Sequence, residues 1–178
     1  MRCTPPRCIG KGKARAPYEF GCKVSIATPA TKPKGGQFVL HAKALHGNPF
    51  DGHTLGPVIT ELERQTGVTT RRIHVDKGYR GHNHPEKFRV WISGQLRRVT
   101  KPIRREMRRR AAVEPVIGHV KAEHRMGHNH LKGRDGDRIN AVLAAAGYNF
   151  ALLLRWLARL LCALFQALAA TSPSVRLV

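Results

Sequence analysis

Acidic residues are scarce in this chain of 178 residues. Eleven Asp and Glu stand against 32 Lys and Arg, which gives a formal net charge of +21. An excess this large favours a polyanionic partner, because each phosphate that a cation neutralises releases condensed counterions. The alternative is a solvated basic surface without a partner, which self-repulsion makes less favourable.

The sequence has no CxxC pair, and its N-terminal composition is not typical of a secretory signal. Cys3, Cys8, Cys22 and Cys162 include no CxxC pair, so we expect free thiols in a reducing compartment. A metal site built from Cys3, Cys8 and the scattered histidines is the alternative, although the histidine spacing does not give a zinc-finger pattern. The N-terminus is polar and rich in proline, so export is not expected.

No apolar run is long enough to indicate a membrane span clearly. Residues 139–170 are rich in Leu and Ala, but Asn140 and Asn149 interrupt them and Arg155 follows. A membrane helix needs about 18 or more apolar residues without such breaks. We therefore expect a long apolar C-terminal helix that is buried or faces a partner, and membrane insertion is the alternative.

The length fits one domain of ordinary size. Residues 1–17 combine prolines with basic residues and predict a loosely ordered basic arm. Residues 18–170 form the predicted domain, and residues 171–178 are expected to be a frayed tail.

Alternation and helical spacing predict a mixed α/β fold with helices packed on one sheet. Alternation over 18–45, interrupted by a turn at 28–36, predicts an antiparallel hairpin. Leu55, Val58, Ile59 and Leu62 recur at helical spacing, so a helix should run from near Thr54 to Gly67. Further strands are expected at 71–75 and 88–92.

The segment 97–110 is strongly basic. It holds eight cations and one acid, Glu106, so a helix of this composition needs an anion to lie against. Pro115 lacks the N–H that would bond residue 111, and we expect a break there with a new helix from Pro115 to about Arg125.

Asp76 follows the strand predicted at 71–75, at the end where α/β sheets present functional groups. Gly78 lets the backbone turn sharply behind it. The alternative is that Asp76 only caps this turn.

Glu114 and Lys121 differ by seven positions, which places them two turns apart on one helix face. Arg110 joins that face only if the helix continues through Pro115. A carboxylate there could share metal ions with Asp76 while Lys121 contacts a phosphate. The alternative is an exposed face on which both side chains are solvated.

These motifs together resemble one family. The run Asp76-Lys77-Gly78-Tyr79, followed by Arg110-x3-Glu114-x6-Lys121, resembles the second-Asp motif and the Arg-Glu-Lys signature of DDE-type insertion-sequence transposases of the IS-four and IS-five groups. Neighbouring stretches are similar too, from about Ile9 to Phe165, including GGQFVLHAKALHGNPFDGHTL and AVEPVIGHVKAEHRMG. The resemblance implies a ribonuclease-H-like fold, Mg²⁺ or Mn²⁺, and DNA cleavage with strand transfer at insertion-sequence ends.

Under this resemblance Asp76 and Glu114 are the second and third acidic residues of the catalytic site and its metal ligands. Arg110 and Lys121 would steady DNA phosphates. The basic segment would extend this DNA-binding surface through Arg104, Arg105, Arg108 and Arg109. The DNA would comprise both the insertion-sequence ends and the target.

The chain departs from the family at the first catalytic Asp, which lies on an opening strand upstream of the hairpin. The acids that precede Asp76 are Glu19, Asp51, Glu61 and Glu63, and none matches that motif position. Met107 also replaces the Tyr of the broader signature. We therefore expect the C-terminal part of a transposase, with a partial ribonuclease-H-like fold lacking the first strand.

Such a fragment would be inactive alone because metal affinity should collapse without the third carboxylate. The alternative is a non-catalytic basic DNA-binding module. Either protein is expected in the cytoplasm, associated with the nucleoid. A homo-oligomer is compatible with the sequence.

Overall fold

A computed structural model of the protein describes residues 8–10, 18–31 and 33–171, with side chains within 21–31 and 33–170. These residues form a mixed α/β structure. In chain order the elements are β1 (Cys8–Gly10), β2 (Tyr18–Phe20), β3 (Lys23–Ala27), β4 (His41–Leu45), α1 (Asp51–Thr66), β5 (Ile73–Val75), β6 (Val90–Ile92), α2 (Lys101–Arg109), α3 (Val113–Ala122) and α4 (Gly133–Thr171). Three 3-10 turns lie at Lys77–Tyr79, Lys87–Arg89 and Arg110–Ala112.

The strands form three two-stranded sheets. β1 pairs antiparallel with β2, β3 pairs antiparallel with β4, and β5 pairs parallel with β6. This differs from the single mixed sheet predicted from the sequence. In the part of the chain that the structure describes, β3 pairs with β4 alone and β5 pairs with β6 alone. No described strand therefore joins the β3–β4 hairpin to the β5–β6 pair.

The predicted hairpin is confirmed as an antiparallel pair, but its strands are shorter. Gly21 lies between β2 and β3 and has a φ of 140°. Few residues other than glycine adopt this backbone conformation, and the extended run is interrupted there. Strand β1 lies inside the segment predicted to be a loosely ordered arm. The rest of that arm and the predicted frayed tail beyond Thr171 lie outside the described residues.

Helix α1 forms as its sequence predicts and covers the parallel strands. Its four regularly spaced apolar residues are all buried, and Gly67, at φ 67°, ends it by donating its N–H to the carbonyl of Glu63. The core that α1 shares with β5 and β6 contains Leu55, Ile59, Leu62, Ile73, Val75 and Val90.

A second core lies between the hairpin, α3 and α4. It contains Val39, Val116, Val120, Ala144, Ala145, Tyr148 and Leu152. Asn149, which interrupts the apolar run in the sequence, has a structural role here. Its side-chain amide accepts a hydrogen bond from the N–H of Val39 at 2.9 Å and donates one to the carbonyl of Val39 at 2.8 Å. One amide side chain therefore pairs the extended backbone before β4 with α4.

Only one side of the first half of α4 is buried, through Ala141, Ala144, Ala145, Tyr148 and Leu152. Every residue from Leu153 to Ala170 is exposed, so this half is not buried within the described residues, and the expectation that it faces a partner stays a prediction. Gly133–Ala170 is long and apolar enough to cross a membrane, which for one helix is weak evidence.

The helical break falls earlier than the sequence predicts. The 3-10 turn at Arg110–Ala112 precedes Pro115, and α3 then runs from Val113 to Ala122 rather than from Pro115 to about Arg125. Pro115 sits in the first turn of α3, where its missing N–H costs no helical hydrogen bond.

Candidate active site

A buried contact between β5 and α2 positions the site. Side chains two residues apart on a strand lie on the same side, and His74 and Asp76 are so spaced. The Nε2 atom of His74 lies 2.9 Å from Oε2 of Glu106 on α2, and Arg72 Nη2 lies 3.0 Å from Glu106 Oε1. The side chains of His74 and Glu106 are only 5% and 16% exposed. This contact fixes α2 beside the end of β5.

One helical turn beyond Glu106, Arg110 lies between two carboxylates. Its Nη2 atom is 3.8 Å from Asp76 Oδ1 and 3.8 Å from Glu114 Oε1. Both carboxylate side chains are largely exposed, at 63% and 69%. The structure therefore brings three of the predicted site residues, Asp76, Arg110 and Glu114, together around one guanidinium.

Asp76 also caps the turn that follows it. Its Oδ1 atom accepts a hydrogen bond from the N–H of Lys77 at 2.7 Å, as the alternative for this residue predicts. The cap and the approach to Arg110 use the same oxygen, so Oδ2 has no part in either contact. Capping and ion binding are thus compatible at Asp76.

Asp51 is a further carboxylate near this turn. A Cβ atom on Gly78 would lie 2.8 Å from Asp51 Oδ2, so glycine allows the carboxylate to approach the backbone. Its other oxygen pairs with Lys23 Nζ at 2.9 Å. Burial, and then the charge of Asp51, raises the pKa of the neighbouring Tyr79. Motif spacing gives no signal for Asp51, because it starts a helix distant in sequence.

The predicted phosphate-binding cations lie on exposed surfaces. Lys121 is exposed near the end of α3. Within the described residues, no ion pair is found for it or for the exposed α2 arginines, which are Arg104, Arg105, Arg108 and Arg109. The opposite side of α2 buries Ile103. These five cations are therefore open to an external anion.

The carboxylates of Asp76 and Glu114 are ligands of the type that hard divalent cations prefer, but in the described part of the chain they lack a third acidic residue beside them. Carboxylate oxygens suit Mg²⁺ and Mn²⁺. Among the described residues, no third His, Cys, Asp or Glu joins Asp76 and Glu114 in a group whose ligand atoms all lie within 4.8 Å of one another. The guanidinium of Arg110 also lies between the two carboxylates, where a shared ion would have to compete with it.

The comparisons with known proteins agree with the sequence motifs. The family described as Transposase DDE domain matches residues 2–150. Neither the curated proteins nor the solved structures gave a match. The family implies an enzyme of DNA transposition that generally uses a divalent metal. Because the match covers most of the sequence, the chain belongs to the transposase DDE domain family.

Proposed function

We propose that this chain is the C-terminal part of an insertion-sequence transposase of the IS-four and IS-five groups, which binds DNA but is catalytically incomplete alone. The observation that carries the proposal is the grouping of Asp76 and Glu114 around Arg110. It corresponds to two of three acidic residues of a partial ribonuclease-H-like domain. The proposed location is the cytoplasm, at the nucleoid.

The basic helix supports the DNA-binding part of the proposal. Arg104 and Arg108, like Arg105 and Arg109, are one helical turn apart and exposed on α2. Such a row presents four guanidinium groups to a phosphate backbone. The helix continues into Arg110, so DNA lying against α2 would reach the two carboxylates.

The carboxylate pair supports a weak metal site of incomplete composition. Asp76 and Glu114 would hold Mg²⁺ or Mn²⁺, which when bound supplies activation of the attacking oxygen in phosphoryl transfer. The chain's own cations, Arg110 and Lys121, would orient the DNA phosphates. Asp51 does not complete the set, because among the described residues it forms no group with Asp76 and Glu114 whose ligand atoms all lie within 4.8 Å of one another, and one of its oxygens pairs with Lys23.

A nicking assay on supercoiled plasmid DNA, with Mg²⁺ or Mn²⁺, tests the proposal. We expect the chain and its Asp76→Ala variant to bind DNA and to leave the plasmid intact. Metal-dependent nicking that is lost in Asp76→Ala would contradict catalytic incompleteness. Nicking that is equal in both would remove Asp76 from any catalytic role, and failure of the chain to bind DNA would overturn the whole proposal.

A non-catalytic DNA-binding module is the second candidate, favoured by the exposed arginines of α2. The two functions differ in how Mg²⁺ affects DNA binding. For a transposase fragment, Mg²⁺ should change DNA affinity in the chain but not in an Asp76→Asn/Glu114→Gln variant, beyond general screening. For the module, both proteins should respond equally.

Self-association through residues 153–170 is part of the proposal. Contiguous exposed apolar surface of this extent marks an interface with another protein or a membrane. We expect a homo-oligomer in light scattering at high salt. Partition of the chain into lipid vesicles would instead indicate a membrane-bound protein.

A further inference from the structure

The hairpin ends in a cysteine and a histidine whose side chains face each other. In the register of β3 and β4, Lys23 lies opposite Leu45. The next position outward on each strand is Cys22 and His46, respectively. The Sγ atom of Cys22 and the Nδ1 atom of His46 are 3.5 Å apart.

A third donor comes from α4, which packs against β4. Asp137 Oδ2 lies 3.7 Å from Nδ1 of His46. Its other oxygen, Oδ1, accepts a hydrogen bond from Asn129 Nδ2 at 2.8 Å, and Asn129 Oδ1 in turn accepts from the N–H of Leu131 at 2.9 Å. This chain of bonds orients Asp137 so that Oδ2 is directed toward the other two donors, as partners of metal-binding carboxylates do.

The spacing of the donor atoms matches tetrahedral zinc coordination. One ligand atom from each of Cys22, His46 and Asp137 lies within 4.8 Å of the others. Zinc bonds of about 2.3 Å to sulfur and 2.0–2.2 Å to nitrogen and oxygen, at tetrahedral angles, separate S from N by about 3.6 Å and N from O by about 3.4 Å. The observed 3.5 and 3.7 Å are close to both values.

We propose that Cys22, His46 and Asp137 form a three-ligand Zn²⁺ site whose fourth position is open to water. A thiolate beside an imidazole selects zinc over Mg²⁺, which prefers oxygen ligands. The site goes beyond the proposed function, because it includes neither Asp76 nor Glu114. It would tie the end of the hairpin to the beginning of α4.

The surroundings allow a cation to enter and to be held. The side chains of His46 and Asp137 are 18% and 34% exposed, so the site can be reached from solvent. The Nε2 atom of His46 is buried, and in the described part of the chain it has no hydrogen-bond partner. Because such a partner usually improves affinity about 10–100-fold, we expect binding weaker than in closed structural zinc sites.

A Co²⁺ titration of the full chain, freed of metal by a chelator, tests the site directly. Cobalt bound to a thiolate gives a charge-transfer absorption band that Zn²⁺ abolishes on displacement. In a Cys3→Ser/Cys8→Ser/Cys162→Ser variant, which keeps only Cys22, we expect the band with one Co²⁺ per chain. In the matched Cys22→Ser variant, which keeps the other three cysteines, we expect no band.

Two further variants separate metal binding from folding. Asp137→Asn removes a ligand charge, and Asn129→Ala removes only the residue that orients Asp137, so Asn129→Ala should weaken Zn²⁺ binding by about 10–100-fold. Circular dichroism checks that each variant is folded. An unchanged zinc affinity in Asp137→Asn, or a cobalt band that survives in Cys22→Ser, would overturn the proposal. So would the absence of a band when Cys22 is the remaining cysteine.

Failure of this site and failure of the proposed function are distinguishable. Zn²⁺ binding should be unchanged in Asp76→Asn, since Asp76 is not part of the cluster. Loss of DNA binding would leave the cobalt result unaffected.

Discussion

Two clusters in this molecule combine acidic residues with other polar groups, and they differ in what holds them together. Asp76 and Glu114 are exposed, and a cation of the protein, Arg110, already lies between them. Asp137 is instead partly buried beside a thiol and an imidazole, those of Cys22 and His46. The first arrangement suits phosphate and a weakly held hard cation. The second suits a metal ion that replaces a proton on sulfur.

The comparison shows why carboxylates alone do not define an ion site. Arg110 lies 3.8 Å from each carboxylate and offsets one of their two negative charges without any metal. Among the described residues, Asp137 has no arginine ion pair and contacts Asn129 and His46 instead, so the second cluster is open to a cation from outside. The two clusters should therefore respond to different ligands and to different substitutions.

Removal of two arginines beside the first cluster should have the largest effect. In Arg104→Gln/Arg108→Gln we expect DNA affinity to fall roughly 10–100-fold at 0.1 M salt, because two phosphate contacts are lost. The slope of log affinity against log salt should become less steep by about 1.8. Fluorescence anisotropy with a labelled duplex measures both.

The control removes the same charge from α4. Arg155→Gln/Arg159→Gln alters an exposed pair with the same spacing on another helix. If this variant weakens DNA binding as much as the α2 variant does, DNA affinity depends on the total charge of the protein. In that case α2 is not a specific DNA-binding surface beside the first cluster.

The anchor of the first cluster should have an intermediate effect. Glu106→Gln removes the charged partner of His74 and Arg72 in a largely buried contact, so we expect a loss of about 1–3 kcal/mol in the free energy of unfolding. Urea denaturation measures it. Glu86→Gln, which breaks a more exposed pair with Arg89, should cost less than about 1 kcal/mol. Equal losses would mean that Glu106 does not fix α2.

A substitution of His41 on β4, the strand that leads to the second cluster, should have the smallest effect. That effect is a change in how the free energy of unfolding depends on pH. Burial lowers the pKa of His41 on β4, while Glu61 opposes this and Lys43 adds to it. The unfolded state binds a proton near pH 6.5, whereas the folded state resists protonation to lower pH. The contribution of His41 to the free energy of unfolding should therefore be fully present above about pH 6.5 and should be lost as the pH is lowered from there.

His41→Gln should make this slope shallower in urea denaturation between pH 7.5 and 5.5. Some slope should remain, because burial also lowers the pKa of His82. A His130→Gln variant, which alters an exposed histidine, is the control. An unchanged slope in His41→Gln would contradict the assignment.

Local signals predicted the helices better than the strands. The apolar spacing in α1 and the glycine that ends it are both local, and both are confirmed. Strand lengths depend on partners distant in sequence, so the division at Gly21 and the separation into three sheets were not predictable. The apolar second half of α4 predicts a helix that is buried or faces a partner, and it is exposed in the described chain, so the choice depends on a covering surface that the sequence does not specify.

The candidate sites were predictable to different extents. The motif around Asp76 and Glu114 is readable in the sequence, but the position of Arg110 near both depends on the 3-10 turn that joins α2 to α3. Cys22 and His46 meet through the hairpin register alone. Asp137 joins them only through the packing of α4, for which the sequence carries no local signal.

The most direct test of the account is Mn²⁺ binding to the first cluster, followed by electron paramagnetic resonance in a Cys22→Ser background. We expect one weak site that Asp76→Asn/Glu114→Gln abolishes. Arg110→Gln should strengthen it roughly thirtyfold, because a unit charge about 4 Å from a divalent ion opposes binding by about 2 kcal/mol even in bulk water. Identical Mn²⁺ binding in all three proteins would contradict the claim that Asp76 and Glu114 share a cation.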